Sequence, residues 1–228
     1  MNGSKNIENG KRRKMKTNII FANFMGNTIL KTINNSSLKN YIFALKKKDK
    51  GRFVSNYGGW QSNDLSLDDE PIKNLIVEIE KNLTPFEEAL RFRKDFKLKV
   101  ANIWANVSGT GASNTPHLHF NSVLSGVYYV TRPEVSGSLR LMNPNLFNHV
   151  TLSSLGKLET FTEGPTPFTT DHMDFPGLPG ALVIFPSHLC HYVLPNLGKE
   201  ERISISFNTT LVKEVEKDQL KKRPCPHN

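Results

Sequence analysis

The clearest structural pattern in this 228-residue chain is the stretch Arg202-Ile203-Ser204-Ile205-Ser206-Phe207-Asn208, in which polar and apolar residues alternate strictly. Such alternation predicts a β-strand, because successive side chains of a strand point to opposite faces. The polar face either contacts water, as in an ordinary half-buried strand, or lines an internal site. In the second case, Arg202 could hold a carboxylate with two hydrogen bonds and Ser204 could donate another.

Working outward from this strand, histidines form a second pattern. The segment Pro116-His117-Leu118-His119-Phe120 places two histidines two residues apart, and His191 lies just before the alternating strand. If the first segment is extended, His117 and His119 point to the same side. Three imidazoles suit iron, zinc, copper or nickel better than magnesium or calcium. The alternative interpretation is that these are ordinary buried histidines with hydrogen-bond partners in the core.

The other histidines are weaker candidates. His188 precedes His191 by three residues, so at most one of the two is expected to face a common site. The remaining three lie in surroundings rich in proline, asparagine or charge, which predict loops or a tail: His149, His172 and His227.

The order of these motifs resembles the iron(II)- and 2-oxoglutarate-dependent dioxygenases, whose core is a double-stranded β-helix. A closer resemblance is to an oxygenase subfamily found in bacteria and phages. It extends over residues 18–210 and rests on several motifs: Ser55-Asn56-Tyr57-Gly58-Gly59-Trp60-Gln61-Ser62, His117-Leu118-His119, Ser125-Gly126-Val127-Tyr128-Tyr129-Val130, Phe185-Pro186-Ser187 with His191, and the strand 202–208.

The resemblance implies a hydroxylase that uses iron(II), 2-oxoglutarate and O2 and releases succinate and CO2. It implies His117, His191 and His119 as metal ligands, with Arg202 and Ser204 holding the far carboxylate of 2-oxoglutarate. One departure is His119, because the wider superfamily usually has Asp or Glu at that position. Three more residues are candidates for the cofactor cavity: Trp104, Tyr128 and Tyr129. Because neighbouring residues of a strand face opposite ways, only one of the two tyrosines can line it.

The resemblance also implies the fold: mainly β, a double-stranded β-helix of the jelly-roll, cupin-like kind, with helices packed on one side. We expect a basic lead at residues 1–16, a single oxygenase domain at 17–212 and a polar tail at 213–228. Within the domain, 17–95 should hold an N-terminal strand and helices, and 96–212 the β-helix core.

Two other function classes remain open. A cupin-like metalloprotein or metal-dependent enzyme that does not use 2-oxoglutarate would keep the histidines without needing Arg202 and Ser204. A noncatalytic binding module would keep only the fold. The expected substrate is a protein side chain, because a long irregular segment, 143–180, borders the site. Nucleic acid or a small metabolite is the next choice.

The positive charge is concentrated at the start of the chain. Residues 1–60 contain 13 Lys and Arg against only Glu8 and Asp49, out of a net charge of +9. Such a lead could attract nucleic acid, but a solvated tail is the simpler interpretation. Met15 is an alternative start that would make the lead dispensable. The two cysteines, Cys190 and Cys225, and the lack of a long apolar run predict a cytoplasmic protein without a membrane span.

Local patterns predict several elements before the histidines. We expect strands within 18–33 joined by a turn at Gly26-Asn27, and a helix capped by Ser36 or Ser37. A second helix should start at Asp68 or Asp69, and a third with the capping box Thr84-Pro85-Phe86-Glu87. These helices should be scaffold.

Overall fold

The structure is a computed structural model that describes residues 17–145, 154, 163–164 and 166–214. The predicted lead 1–16 lies outside the described residues, as do most of the predicted tail 213–228 and part of the segment 143–180. Four residues discussed above also lie outside them: Met15, His149, Cys225 and His227. The described elements are β1 (Gly26–Ile29), α1 (Asn35–Lys46), β2 (Asn56–Tyr57), β3 (Trp60–Gln61), α2 (Ile72–Lys81), α3 (Thr84–Leu90), β4 (Phe96–Ser108), β5 (Ser113–His117), β6 (Leu124–Thr131), β7 (Leu139–Met142), β8 (His172–Phe175), β9 (Ala181–Pro186), β10 (His191–Val193) and β11 (Arg202–Lys213).

The strands form two antiparallel sheets. The first has the order β1-β9-β6-β11-β4-β3, and the second has the order β2-β5-β10-β7-β8. The chain crosses from one sheet to the other along β4, β5 and β6 and again along β9, β10 and β11. This is the pattern of a double-stranded β-helix, so the predicted fold class is confirmed.

The helices cover one face of the first sheet. Leu38 and Ile42 of α1 and Leu75 of α2 are fully buried in the same apolar cluster as Ile205 and Phe207 of β11. Burial of each such side chain contributes about 1.5–3 kcal/mol. Because the apolar face of β11 packs against the helices, its polar face must point toward the second sheet, into the interior.

The predicted turn at Gly26-Asn27 is wrong. Both residues lie in β1, opposite Ile184 and Val183 of β9. The reason for a glycine here is packing: a Cβ on Gly26 would come within 2.8 Å of the ring of Phe86. A glycine that allows an aromatic ring to approach has the same sequence signature as a glycine in a turn.

The three predicted helix starts also differ in detail. The second helix, α2, begins at Ile72 and not at Asp68 or Asp69. The cap of α1 is Asn34, whose Oδ1 accepts a hydrogen bond of 3.0 Å from the backbone of Ser37. At α3 no side chain caps the helix. Glu87 instead turns away and accepts a 2.7 Å hydrogen bond from the backbone N–H of Leu98, which ties α3 to β4.

Within the segment predicted as a long irregular loop, the described part contains a strand. His172–Phe175 forms β8 beside β7, and Asp174 accepts hydrogen bonds of 2.6 and 2.7 Å from Arg140. This four-residue strand is too short and too polar to show the alternation of polar and apolar residues that predicts a strand. None of the helices among the described residues has the length and hydropathy that crossing a membrane requires.

Candidate active site

Three histidines converge between the two sheets. His117 at the end of β5 and His191 at the start of β10 are direct cross-strand partners. His119 follows β5, and its backbone N–H donates to Ser187 O at 3.0 Å. One ring nitrogen from each of the three lies within 4.8 Å of the others, so the set could hold one metal ion.

Backbone carbonyls orient two of these rings. Nδ1 of His117 lies 2.7 Å from Thr115 O, and Nδ1 of His191 lies 2.8 Å from Leu189 O. A carbonyl oxygen can only accept, so each Nδ1 must carry the proton. Nε2 of both rings is then left with a free lone pair, as a metal ligand requires.

Burial keeps the three imidazoles neutral. It lowers the pKa of His119 to about 4, with the nearby His117 adding a smaller effect, and lowers that of His191 to about 3 for the same reasons. Burial also lowers the pKa of His117, against the opposing hydrogen bond to Thr115. Metal binding requires the neutral ring, so no proton has to be displaced near pH 7. Three neutral nitrogen donors fit iron(II) and its transition-metal neighbours.

Of the remaining histidines, the described ones lie elsewhere. His188 is exposed, and its Nε2 lies 3.0 Å from Asn23 Oδ1. His172 lies in β8 at the edge of the second sheet. Neither lies with the three clustered rings.

Arg202 lies on the inner face of β11 and is only 2% exposed. Its Nη1 donates to the carbonyl of Ser136, with longer contacts of 3.5 Å to Gly137 O and 3.4 Å to Leu194 O. Among the described residues, no carboxylate pairs with it. A buried guanidinium held by carbonyls alone leaves its charge uncompensated, which suits an anionic ligand.

Three of the other predicted residues line the same cavity as Arg202 and the histidines: Ser204, Tyr129 and Trp104. Ser204 lies beside Tyr129 on β6 in the cross-strand register. The ring of Trp104 lies 5.9 Å from the ring of His119, centroid to centroid. Burial raises the pKa of Tyr129, so its hydroxyl keeps its proton, although the charge of Arg202 opposes the shift.

The structure does not place Tyr128 at the cavity, which corrects its inclusion among the candidate residues. Its side chain points to the helical face of the sheet, where its hydroxyl donates to Asn35 Oδ1 at 2.7 Å. The physical reason is the strand period, which sends Tyr128 and Tyr129 to opposite faces.

Sequence reasoning missed five polar residues that line the cavity: Ser55, Asn106, Asn114, Ser125 and Ser206. The signal for two of them was present. Asn106 is two residues from Trp104, and Ser206 two from Ser204, so each shares a strand face with a predicted site residue. Asn114 of β5 donates a 3.2 Å hydrogen bond to Ser55, the residue before β2, and no local pattern indicates this contact.

Comparison with known proteins finds a similar family for the core strands and a shared fold. Residues 102–208 match the model of the family described as "Putative 2OG-Fe(II) oxygenase", and this range contains all three clustered histidines and Arg202. No curated protein matches the chain.

Solved structures of the same fold belong to enzymes of this kind. A prolyl-4-hydroxylase of Pseudomonas putida is 15% identical, with a TM-score of 0.52, covering 84% of this chain and 93% of its own. HygX of Streptomyces hygroscopicus, solved with nickel and 2-oxoglutarate bound, is 9% identical with a TM-score of 0.53, covering 81% and 82%. A prolyl hydroxylase of Trichoplax adhaerens, in complex with a hypoxia inducible factor peptide, is 12% identical with a TM-score of 0.50, covering 88% and 87%. At such low sequence identities, these structures are evidence for the fold alone. The family match covers the core strands, and over residues 102–208 this chain is similar to the 2OG-Fe(II) oxygenases.

Proposed function

We propose that this protein is a 2OG-Fe(II) oxygenase, a hydroxylase whose iron(II) is held by His117, His119 and His191. The observation that carries the proposal is the convergence of three neutral imidazoles and the unpaired Arg202 on one cavity. The three histidines fit a divalent metal, and Arg202 fits a carboxylate of a dicarboxylate.

The chain's own residues bind, orient and enclose the reactants. Arg202 and Ser204 hold the far carboxylate of 2-oxoglutarate, and the protonated hydroxyl of Tyr129 lies beside them. Trp104 forms the wall next to His119 and excludes water there. Iron(II), when bound, supplies O2 activation coupled to the conversion of 2-oxoglutarate to succinate and CO2.

His119 stands where the wider superfamily has a carboxylate. Ligation by this imidazole is supported by its position, since its ring lies 5.2 Å from that of His191, centroid to centroid. Three neutral ligands leave the full charge of the metal for the bound dicarboxylate to neutralise.

A metalloprotein that does not use 2-oxoglutarate is the main alternative. Such a protein would have no need to bury a guanidinium that no carboxylate among the described residues neutralises, at a cost of several kcal/mol, on the order given by ion desolvation. The position of Arg202 therefore favours 2-oxoglutarate. A binding module without metal would likewise have no use for Nε2 atoms kept free by carbonyl hydrogen bonds.

For the substrate, we propose a side chain of a protein or peptide. Large apolar side chains are exposed close to the cavity: Phe120 directly follows His119 and is 82% exposed, and Phe53 and Tyr57 lie on either side of Ser55. Exposed aromatic residues beside a catalytic cavity suit an extended polypeptide. The Trichoplax enzyme of the same fold is known in complex with a peptide.

We propose the cytoplasm as the location, because Cys190 is a free thiol among the described residues and free thiols persist in reducing compartments. The basic lead lies outside the described residues, and nucleic acid has no part in the proposal.

The proposal is tested by incubating the anaerobically reconstituted iron protein with 2-oxoglutarate and O2, with and without a peptide library. We expect succinate to form only when iron is present and to form faster with some of the peptides. Mass spectrometry should then show that one oxygen atom has been added to a side chain of those peptides. His191→Ala should abolish succinate formation. Iron-dependent activity without consumption of 2-oxoglutarate would favour the alternative.

A further inference from the structure

A groove separate from the active-site cavity lies between the edge of the first sheet and helix α3. Its volume is about 320 Å³, and its lining is mainly apolar. Leu182 and Ile184 of β9 contribute to it, and none of its lining residues also lines the cavity. The remaining apolar or small residues come from the two sides of the groove: Phe24, Met25, Gly26 and Thr28 before and within β1, and Pro85, Phe86 and Ala89 of α3.

Strand β1, on one side of this groove, is the end strand of the first sheet. Gly26–Ile29 pairs with β9 along one edge, and no strand among the described residues pairs with its other edge. Asn27, Thr28 and Ile29 are exposed. An exposed strand edge carries backbone donors and acceptors that can pair with a strand of another chain.

The segment that leads into β1 exposes three consecutive large apolar side chains. Ile19 is 70% exposed, Ile20 is 72% exposed and Phe21 is 95% exposed. The backbone of Phe21 has a φ of 53°, a value that bulky residues rarely adopt. Contiguous apolar side chains in water, next to an apolar groove, indicate an interaction surface.

Residues 17–29, which we call the edge strip, are complementary to themselves. When two edge strips pair antiparallel about Asn23, Ile20 lies opposite Gly26 of the second copy. Residues directly opposite each other in such a pair lie on the same face of the sheet. A Cβ on Gly26 would point toward the ring of Phe86, 2.8 Å away, so this is the face that carries the groove. Each copy would therefore fill the groove of the other with its own Ile20.

The surface is large enough for a stable dimer. The edge strip has 13 residues and the stretch 82–90 beside the groove has nine, 22 in all. Interfaces of standard size use about 20–30 residues and about 800 Å² on each partner. A two-fold axis uses the same patch on both copies, as most homodimers do.

We propose that this protein forms a two-fold symmetric homodimer in which the edge strips pair and Ile20 of each copy occupies the groove of the other. A second copy fits better than a different protein, because one surface carries both the projecting side chains and the groove that accepts them. The proposal is independent of the proposed function, since the groove and the cavity share no lining residue.

The test is sedimentation velocity of the full-length chain at about 5–200 µM, because interfaces of this size dissociate at micromolar concentrations or below. The wild type should sediment as a dimer at the upper end of this range. Ile20→Glu should raise the dissociation constant about a hundred-fold or more, because it places an unpaired carboxylate in an apolar groove.

Ala89→Glu tests the groove side of the same contact and should weaken the dimer in the same way. Ala89 is an exposed residue of α3, and glutamate is a good helix former, so the fold should not change. Leu197→Glu is the matched control for both variants. Leu197 is 77% exposed, close to the value for Ile20, but it lies outside the edge strip and the groove. This variant should dimerise like the wild type.

The salt dependence of the dimer gives a second readout. Five Lys and Arg residues stand at positions 11–16, directly before the edge strip. A dimer brings these like charges of two chains toward each other, so salt should strengthen it by screening their repulsion. A dimer that weakens as salt is added would be held by a bridging polyanion and would contradict the proposal.

Two further outcomes would overturn the proposal. A wild-type chain that stays monomeric at about 200 µM would show that no second copy occupies the groove, because a standard-size interface associates well below that concentration. A dimer that persists in both Ile20→Glu and Ala89→Glu would have its interface elsewhere. Melting temperatures close to wild type in all three variants would confirm that the substitutions act on association and not on folding.

Discussion

Among single residues, Arg202 carries the assignment of the cosubstrate. The alternation over 202–208 predicts that Arg202 lies on the polar face of a strand, but it does not predict that this face is buried. A polar face toward water and a polar face toward a cavity have the same sequence pattern. The choice depends on which face the helices cover, and here Ile205 and Phe207 pack against them.

We expect Arg202→Ala to weaken 2-oxoglutarate binding about thirty-fold or more, since loss of one partner of a buried charge pair costs about 2–5 kcal/mol. Arg202→Lys should recover only part of the affinity, because a point charge lacks the bidentate geometry of the guanidinium. The measurement is a titration of the anaerobic metal-loaded protein. Equal affinities in wild type and both variants would remove the main support for 2-oxoglutarate.

His188, three residues from His191, offers a control for substitutions at the metal site, because it is a nearby histidine outside the cluster. His191→Ala should abolish stoichiometric iron(II) binding, because His191 supplies one of three ligand nitrogens. The His188→Ala variant should still bind about one iron per chain, because the ring of His188 contacts Asn23 and not the metal site. Metal content after anaerobic desalting measures both. Retention of one iron by His191→Ala would move the site elsewhere.

At the level of elements, long periodic segments were predictable and short ones were not. The second predicted helix appears as α2, with Ile72, Leu75 and Ile79 buried on one face, and the alternation of β11 appears as expected, because burial on one face imposes a period on the sequence. Gly26, Glu87 and β8 were misassigned or missed because their roles depend on contacts distant in sequence: with Phe86, with Leu98 and with β7. The convergence of His117 with His191 depends in the same way on the register of β5 and β10.

Packing between elements is tested at Gly126, in the middle of the first sheet. A Cβ there would lie 2.7 Å from Val183 O and would overlap the ring of Phe207. We expect Gly126→Ala to destabilise the protein by about 1–3 kcal/mol, as overpacking does. Gly109→Ala is the matched control, because nothing lies within 4 Å of its Cβ position. Urea denaturation compares the two, and equal midpoints would contradict the packing described for β6 and β11.

For the whole molecule, the division of the fold into two sheets explains how one domain provides both scaffold and site. The helices and the outer face of the first sheet form the main apolar core, and the space between the sheets holds the polar cavity. The predicted division into a lead, a domain and a tail remains a prediction.

A protein shortened to begin at Met15 tests that division. We expect an unchanged melting temperature and unchanged affinity for 2-oxoglutarate, because the sequence before Met15 is polar and basic and has too few apolar residues to bury a core. Thermal unfolding and the binding titration are measured on both lengths. A lower melting temperature in the shorter protein would show that the lead stabilises the fold.

The most direct test of the central claim is a titration of the anaerobic wild-type protein, first with iron(II) and then with 2-oxoglutarate, followed by visible absorbance. The account predicts one iron per chain, and a charge-transfer band that grows to saturation at one 2-oxoglutarate per iron. A protein that takes up no iron, or an iron-loaded protein whose spectrum and calorimetry do not change when 2-oxoglutarate is added, would contradict it.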